Sequence, residues 1–380
     1  MPDLAIGRIP AIHGAPGAAR ELAARLGPLT DARRVAVLMD PALAGSGRGA
    51  GIVAALAADG FMPDLLVMPP GEPKEAAVAA AARQTRDFRA GAVVCVGGGS
   101  VMDAGKLVAS LTAAPDDLAR YRLAAAPLPR ERLPLLCVPT TAGTGAEATA
   151  VSVLAGEDGS KYWFWADSLK PDVIVHDPEL ALDLPPAITA ATGVDALVHA
   201  IEAATNANAA PANTLFALHA ITLVTRWLPH ALRAPQDLEA RARLLEAATF
   251  AGVAIDNAGT AIAHNIGHAL GSLAPIPHGR AVAIGMAATL DWNVEGDPEA
   301  YAGVADAMGL AGPQQLAAGF LRFVLGCGLD LSTGAIAPAA LARQMARPEN
   351  AAMLRANRRP ANEADLLRHA SAAAALAERP

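Results

Sequence analysis

The chain has 380 residues, 53% of them hydrophobic and 18% charged, with a net charge of −7. That is long for a single core, so two domains are expected, and the apolar share excludes a largely disordered chain. The negative balance, without a basic run or an aromatic–basic stripe, argues against nucleic acid and membranes as partners. The opening MPDLAIGRIP lacks the pattern of a secretory leader, and no apolar run free of Gly, Pro and charge is long enough to span a bilayer. Three cysteines, Cys95, Cys137 and Cys327, lie far apart, which speaks against a disulfide framework and for a cytoplasmic setting.

In chain order, RRVAVLMD (33–40) reads as a strand, GIVAALAADG (51–60) as a helix and PDLLVMPP (63–70) as a second strand. KEAAVAAAARQTRDF (74–88) has helical spacing, AGAVVCVGGGS (90–100) is a strand ending in glycines, and SVMDAGKLVASL (100–111) is the next helix. LPLLCVPTT (133–141) and PDVIVHDPEL (171–180) complete a set of apolar strands alternating with helices, the pattern of a parallel sheet covered on both faces. Beyond Pro185-Pro186 strand signals stop, and the segments that follow carry helical spacing. The boundary is therefore placed near residue 186, between an α/β domain (1–186) with a Rossmann-like sheet and an all-helical domain (187–380).

GGGSVMDAGK (97–106) joins a strand to a helix, where Gly97, Gly98 and Gly99 let backbone N–H groups approach a phosphate and the helix N-terminus favours its charge. Ser100 and Asp103 have capping-box spacing and are expected to set the helix start. The run is not the usual dinucleotide fingerprint: Met102 stands where the third glycine belongs, and the candidate ribose-binding acid, Asp40, precedes the glycines. A carboxylate at that strand end would accept from a ribose 2′-hydroxyl and repel a 2′-phosphate, favouring NAD over NADP. PTTAGTGAEAT (139–149) adds the hydroxyls of Thr140, Thr141 and Thr144 on a second strand-end loop.

GVDALVHAIE (193–202) sets Asp195 and His199 four residues apart, one turn apart on the same helix face. IAHNIGHALGSLAPIPHG (262–279) repeats the spacing with His264 and His268 and adds His278 after a break in the helix. Five such groups in apolar surroundings are costly to bury without purpose, so a metal site is expected. Spacing alone leaves open whether His264 works with His268 or with His278.

These motifs, with KYWFWADSLKPDVIVHDPEL (161–180), occur in the order found in the iron-containing (group III) alcohol dehydrogenase family, which the chain resembles over nearly its whole length. The resemblance implies the two-domain architecture shared with dehydroquinate synthase, with the active site in the interdomain cleft. It implies Asp195, His199, His264 and His278 as ligands of a divalent metal, Fe(II) first and Zn as the alternative. It places His268 near the nicotinamide and substrate without ligating, and it matches Asp40, Gly97, Gly98, Gly99, Ser100, Thr140, Thr141, Thr144 and Lys161 to cofactor-binding positions. The implied activity is NAD(P)-linked alcohol dehydrogenation or aldehyde reduction, with hydride passing between a primary alcohol or aldehyde at the metal and nicotinamide C4. A small-molecule substrate and a homodimer are the implied partners. Gly71-Glu72-Pro73 departs from the family's Asn-Pro turn, and Arg280 stands where many relatives carry a small residue. If Arg280 faces the substrate, an anionic (carboxylate or phosphonate) aldehyde is the alternative; the preferred reading is a salt bridge. A sugar-phosphate cyclase-type lyase of the same fold ranks lower, because Asp195 replaces its glutamate ligand and few lysines lie near the metal motifs.

Overall fold

A computed structural model describes residues 6–112, 117–157 and 160–378, with the side chains of 377 and 378 left out; the first five residues of the N-terminal stretch read for a leader lie outside this set. The chain divides into two compact units. One holds Arg8–Thr141 and Ala146–Asp183; the other holds Gly7, Ala142–Gly145 and the chain from Leu184 onward.

The first unit is built on six parallel strands: β1 (Ala11–Gly14), β2 (Arg34–Met39), β3 (Met62–Val67), β4 (Ala92–Gly97), β5 (Leu135–Pro139) and β8 (Val173–His176). A separate antiparallel hairpin is formed by β6 (Val151–Ala155) and β7 (Lys161–Trp165). The helices are α1 (Leu22–Leu26), α2 (Pro41–Ala44), α3 (Gly47–Ala58), α4 (Glu75–Asp87) and α5 (Gly99–Leu111). Apolar residues alternate between faces as the two-residue period requires. Ala36, Leu38, Val93 and Cys95 meet α4 and α5 on one side, while Val35, Val37, Val94 and Val96 meet α1 and α3 on the other. The five apolar runs read as strands are all present, as β2, β3, β4, β5 and β8; the short edge strand β1 carries too little apolar signal to stand out.

Strand order is β1-β8-β5-β4-β2-β3. The chain leaves β2 for β3 on one side and returns to β4 on the other, so the order reverses between β2 and β4. In open α/β sheets that reversal opens a crevice beyond the carboxyl ends of the strands. Met39 pairs with Val96 across it, so Asp40 and Gly97, each one residue further on, come level at its mouth.

Ser100 does not cap α5. The N-cap is Gly98, without a side-chain cap bond, and the helix begins at Gly99. Asp103 instead turns to the hairpin, accepting from Val153 N at 3.1 Å, while the fully buried Lys106 donates to Thr149 Oγ1 at 3.0 Å and the Val151 carbonyl at 2.7 Å. The spacing that mimics a capping box is thus used to latch α5 to β6.

The second unit is helical: α6 (Pro186–Thr205), α7 (Pro211–Arg233), α8 (Leu238–Ala258), α9 (Ile262–Leu273) and α10 (His278–Gly296), then α11 (Ala302–Ala307), α12 (Leu316–Gly326), α13 (Pro338–Met345), α14 (Ala351–Ala356) and α15 (Glu363–Ala374). Alanine and glycine let the helices approach closely. Gly145 has φ +59°, and a Cβ there would lie 2.5 Å from Gly252 Cα on α8. By length and apolar content alone α6 could cross a membrane, at mean hydropathy 1.2, yet 78% of it is buried inside the protein. It also carries Asp195, His199 and Glu202 among its buried residues. The apolar surface of α6 is matched by neighbouring helices, as in a core helix of a large bundle.

Candidate metal centre and nucleotide loops

Asp195 and His199 lie on one face of α6, His264 on the first turns of α9, and His278 at the first residue of α10. The break at 274–277 starts a new helix at His278 and brings it beside the other three. One ligand atom from each of these four residues falls within 4.8 Å of the rest. Asp195 Oδ1 is 3.8 Å from His199 Nδ1, 3.7 Å from His264 Nε2 and 3.6 Å from His278 Nε2. These separations are too long for hydrogen bonds and close to the ~3.4 Å edge of a tetrahedron with ~2.1 Å metal–ligand bonds. Asp195 Oδ1, His199 Nδ1 and His264 Nε2 are buried without a hydrogen bond. Such atoms are rare in folded proteins and costly in an apolar interior; a shared divalent cation satisfies them together, so the residues fit the implied metal.

Burial alone would raise the Asp195 carboxyl, but the facing imidazoles of His199, His278 and His264 outweigh it and hold the group well below the usual carboxylate range. Burial pushes His199 down to about 4 despite the attraction of Asp195, leaving a neutral imidazole at neutral pH. A hydrogen bond to the Gly143 backbone partly opposes that shift. For His264 burial acts downward too, yet the carboxylates of Glu202 and Asp195 prevail and push it up to about 9. Glu202, not singled out in the sequence, lies 2.6 Å from His264 Nδ1. Its signal was its position three residues beyond His199, within the same buried helical stretch.

His268 lies outside the four-residue set. Its ring centroid is 5.5 Å from that of His278 and 6.5 Å from that of His264, and it is half-buried.

In the α/β unit Thr140 N donates to the Gly97 carbonyl at 2.9 Å, drawing the threonine loop to the glycine turn. A Cβ on Gly97 would lie 2.6 Å from Val101 Cγ2, and one on Gly98 would lie 3.2 Å from Thr141 Oγ1, so the turn accepts no larger residue at Gly97 without movement. The backbone amides of Gly99 and Ser100 sit in the first turn of α5, where N–H groups have no partner within the helix. Asp40 caps α2 through one oxygen, accepting from Leu43 N at 2.9 Å. Thr144 belongs to the 142–145 segment that clusters with the helical unit. Lys161 is buried on β7 with its ammonium paired to the Glu72 carboxylate. Arg280 is paired rather than free: its Nε donates to the Asp330 carbonyl at 2.6 Å, and Nη2 reaches Asp330 Oδ2 at 2.6 Å and the Ser332 hydroxyl at 2.9 Å.

A parallel sheet with two polar loops at its switch point, together with a helical unit that converges one carboxylate and three imidazoles, defines a nucleotide-binding metalloprotein class. Family models narrow that class. Residues 10–178 match the model described as iron-containing alcohol dehydrogenase, and residues 189–322 match the C-terminal model of the same family. The chain belongs to the iron-containing alcohol dehydrogenase family.

Among curated relatives, a probable alcohol dehydrogenase EutG of Salmonella typhimurium is 40% identical over 258 residues, 68% of this chain and 65% of that protein. The matched region thus spans just under two thirds of that relative's length. A sulfoacetaldehyde reductase of Bilophila wadsworthia is 32% identical over 296 residues, 78% of this chain and 76% of the relative. Among solved structures, sulfoacetaldehyde reductase from Bifidobacterium kashiwanohense in complex with NAD+ superposes with a TM-score of 0.88 at 28% identity, covering 98% of this chain and 99% of the other.

Proposed function

We propose that the protein is a metal-dependent, NAD-linked alcohol dehydrogenase or aldehyde reductase. The observation that carries this reading is the convergence of Asp195, His199, His264 and His278, with Asp195 Oδ1, His199 Nδ1 and His264 Nε2 buried without a hydrogen bond, in a chain of this family. A divalent ion held there would supply Lewis acidity, polarising an aldehyde carbonyl or acidifying an alcohol.

The protein's own residues supply the rest. Asp195 contributes the negative charge that keeps a dication in an apolar interior, and the imidazoles leave the net charge of the site low. The N–H groups of Gly99 and Ser100 and the hydroxyls of Thr140 and Thr141 offer donors to a pyrophosphate. Asp40 accepts from ribose hydroxyls and disfavours a 2′-phosphate, so NAD is the proposed cofactor. His268, beside the ligand imidazoles, takes or gives the substrate proton. Because Arg280 is engaged by Asp330 and Ser332, neutral alcohols and aldehydes are favoured over anionic ones. A domain boundary near residue 186, a cytoplasmic setting and a homodimer are part of the same reading. The dimer is supported by Ile12 on the sheet-edge strand β1 and Ile9 just before it, each 37% exposed.

The test is NADH oxidation over a panel of neutral and anionic aldehydes, on protein stripped of metal and reloaded with Fe(II), Zn, Mn, Co or Ni. Activity is expected only in metal-loaded samples. His199→Ala is expected to lose bound metal by elemental analysis; full retention rejects the ligand set.

A further inference from the structure

Glu202 sits on α6, seven residues beyond Asp195 and three beyond His199, and is only 4% exposed. Residues at i, i+4 and i+7 share a helix face, so Glu202 follows the two α6 ligands along one stripe. It is not one of the four converging groups. Its Oε1 accepts from Ala263 N at 2.7 Å and lies 3.4 Å from His264 N. Its Oε2 accepts from Ala261 N at 2.8 Å and lies 2.6 Å from His264 Nδ1.

Two consequences follow from this geometry. The amides of Ala261, Ala263 and His264 are among those that have no partner within α9, and Ala261 at the N-cap offers no side-chain bond. A carboxylate from another helix caps α9 in its place. An ionised carboxylate is acceptor-only, so Nδ1 of His264 must be the donor and Nε2 is the nitrogen left for the cation. Nε2 is the atom that faces Asp195 at 3.7 Å. One turn further on, at the C-cap of α6, Asn206 Nδ2 donates to the carbonyls of Ala258 and Gly259, at 3.0 and 2.9 Å. The α8–α9 turn is thereby held at both its acceptor and its donor groups by side chains of α6 and its C-cap.

We propose that Glu202 is a positioning residue for the metal: it fixes both the start of α9 and the ring orientation and tautomer of His264, and so sets metal affinity without ligating. A carboxylate behind a ligand histidine raises the basicity of the ring and locks its rotation. The inference rests on the metal reading above.

The test uses the full chain, stripped and titrated with Zn or Co(II) against a chelator of known affinity. Glu202→Gln keeps the shape but removes the negative charge behind His264 Nδ1 and sets an amide NH2 against one of the backbone N–H groups that the carboxylate accepted from, so the ring loses its carboxylate partner. The expected result is a metal Kd raised 10- to 100-fold, with an altered Co(II) absorption spectrum. A purely structural cap would behave otherwise, and Ala261→Ser in the Glu202→Gln background separates the two, because it supplies a local cap for the α9 backbone without touching the His264 ring. Continued weak binding in the double variant supports positioning; recovery of wild-type affinity overturns it. Wild-type affinity in Glu202→Gln also overturns it, whereas failure of the wild-type chain to bind metal would instead sink the metal reading. If neither variant folds, 15N-histidine NMR of the Zn-loaded wild type decides: a protonated Nδ1 on His264 supports the proposal, and an unprotonated one overturns it.

Discussion

Asp40 commits one carboxylate oxygen to the Leu43 N–H and stands at the mouth of the sheet's switch point. These two roles separate on mutation. Glycine serves nearly as well as aspartate at an N-cap, so Asp40→Gly is expected to cost only a few tenths of a kcal/mol in stability. Removing the negative charge is expected to raise the ratio of kcat/KM with NADPH to that with NADH about tenfold or more, on the order of 1.4 kcal/mol or above in discrimination. An unchanged ratio removes Asp40 from the ribose site. Arg280 makes the opposite kind of case: with its guanidinium tied to Asp330 and Ser332, Arg280→Ala is expected to lower stability and affect neutral and anionic aldehydes alike. A selective rise in KM for acidic aldehydes would show the pairing to be broken when substrate binds. The residues that could be recognised from spacing were those whose partner lies on the same helix, Asp195 with His199. The choice between His268 and His278 depended on the chain direction after residues 274–277, which local spacing does not encode. Glu202 escaped because a carboxylate on a helix face usually reads as a solvated group, even three residues beyond a candidate ligand in an apolar helix; its burial sets it apart.

Among the helices, α15 shows how one buried side chain makes packing depend on pH. His369 is 1% exposed, lies edge-on to Trp292 of α10 with centroids 4.7 Å apart, and has Nε2 buried without a hydrogen bond. Burial lowers its pKa from the ordinary 6.5, assisted by Arg368 and Arg359 and opposed by the Ala288 carbonyl and Asp365. The folded state therefore prefers neutral His369, and its contribution is full above pH 6.5 and is lost as pH falls through the depressed folded value. His369→Phe keeps an aromatic ring and removes the proton site. Its Tm relative to wild type is expected to rise as pH is lowered from 8 to 5; a pH-independent difference would show that His369 does not carry the acid sensitivity of this contact. At this scale the sequence was most legible where burial is two-sided: β2, β4 and β5 announce themselves as unbroken apolar runs. The edge strand β1 is four residues long and mostly exposed, so its existence depends on pairing with β8. The capping-box spacing at Ser100 and Asp103 misled because tertiary contacts to β6 recruited Asp103.

For the whole molecule, the division of labour between units makes ligand linkage local. The four proposed metal ligands belong to the helical unit, while Asp40, Gly97, Gly98, Gly99 and Ser100, proposed for the cofactor, belong to the α/β unit. A ligand that binds only the folded state stabilises it by RT ln(1 + [L]/Kd), about 2.7 kcal/mol at a hundredfold excess over Kd. For a unit of roughly 200 residues that corresponds to a rise in Tm of roughly 5–10 °C. Chelation is therefore expected to lower the unfolding temperature of the helical unit by that order, and amide exchange to accelerate first in α6 and at the start of α9, where Asp195, His199 and His264 reside. NAD is expected to protect instead the amides at the ends of β2 and β4 and the first turn of α5. The measurement is amide hydrogen exchange read by peptide on the same protein with metal alone, NAD alone and neither. Slowing in α6 and α9 on adding metal is the expected result, because a cation held by the four groups would have to be released before any of the three helices opens. Metal addition that leaves α6 and α9 unprotected would mean that the four groups do not act as one site, whatever their spacing.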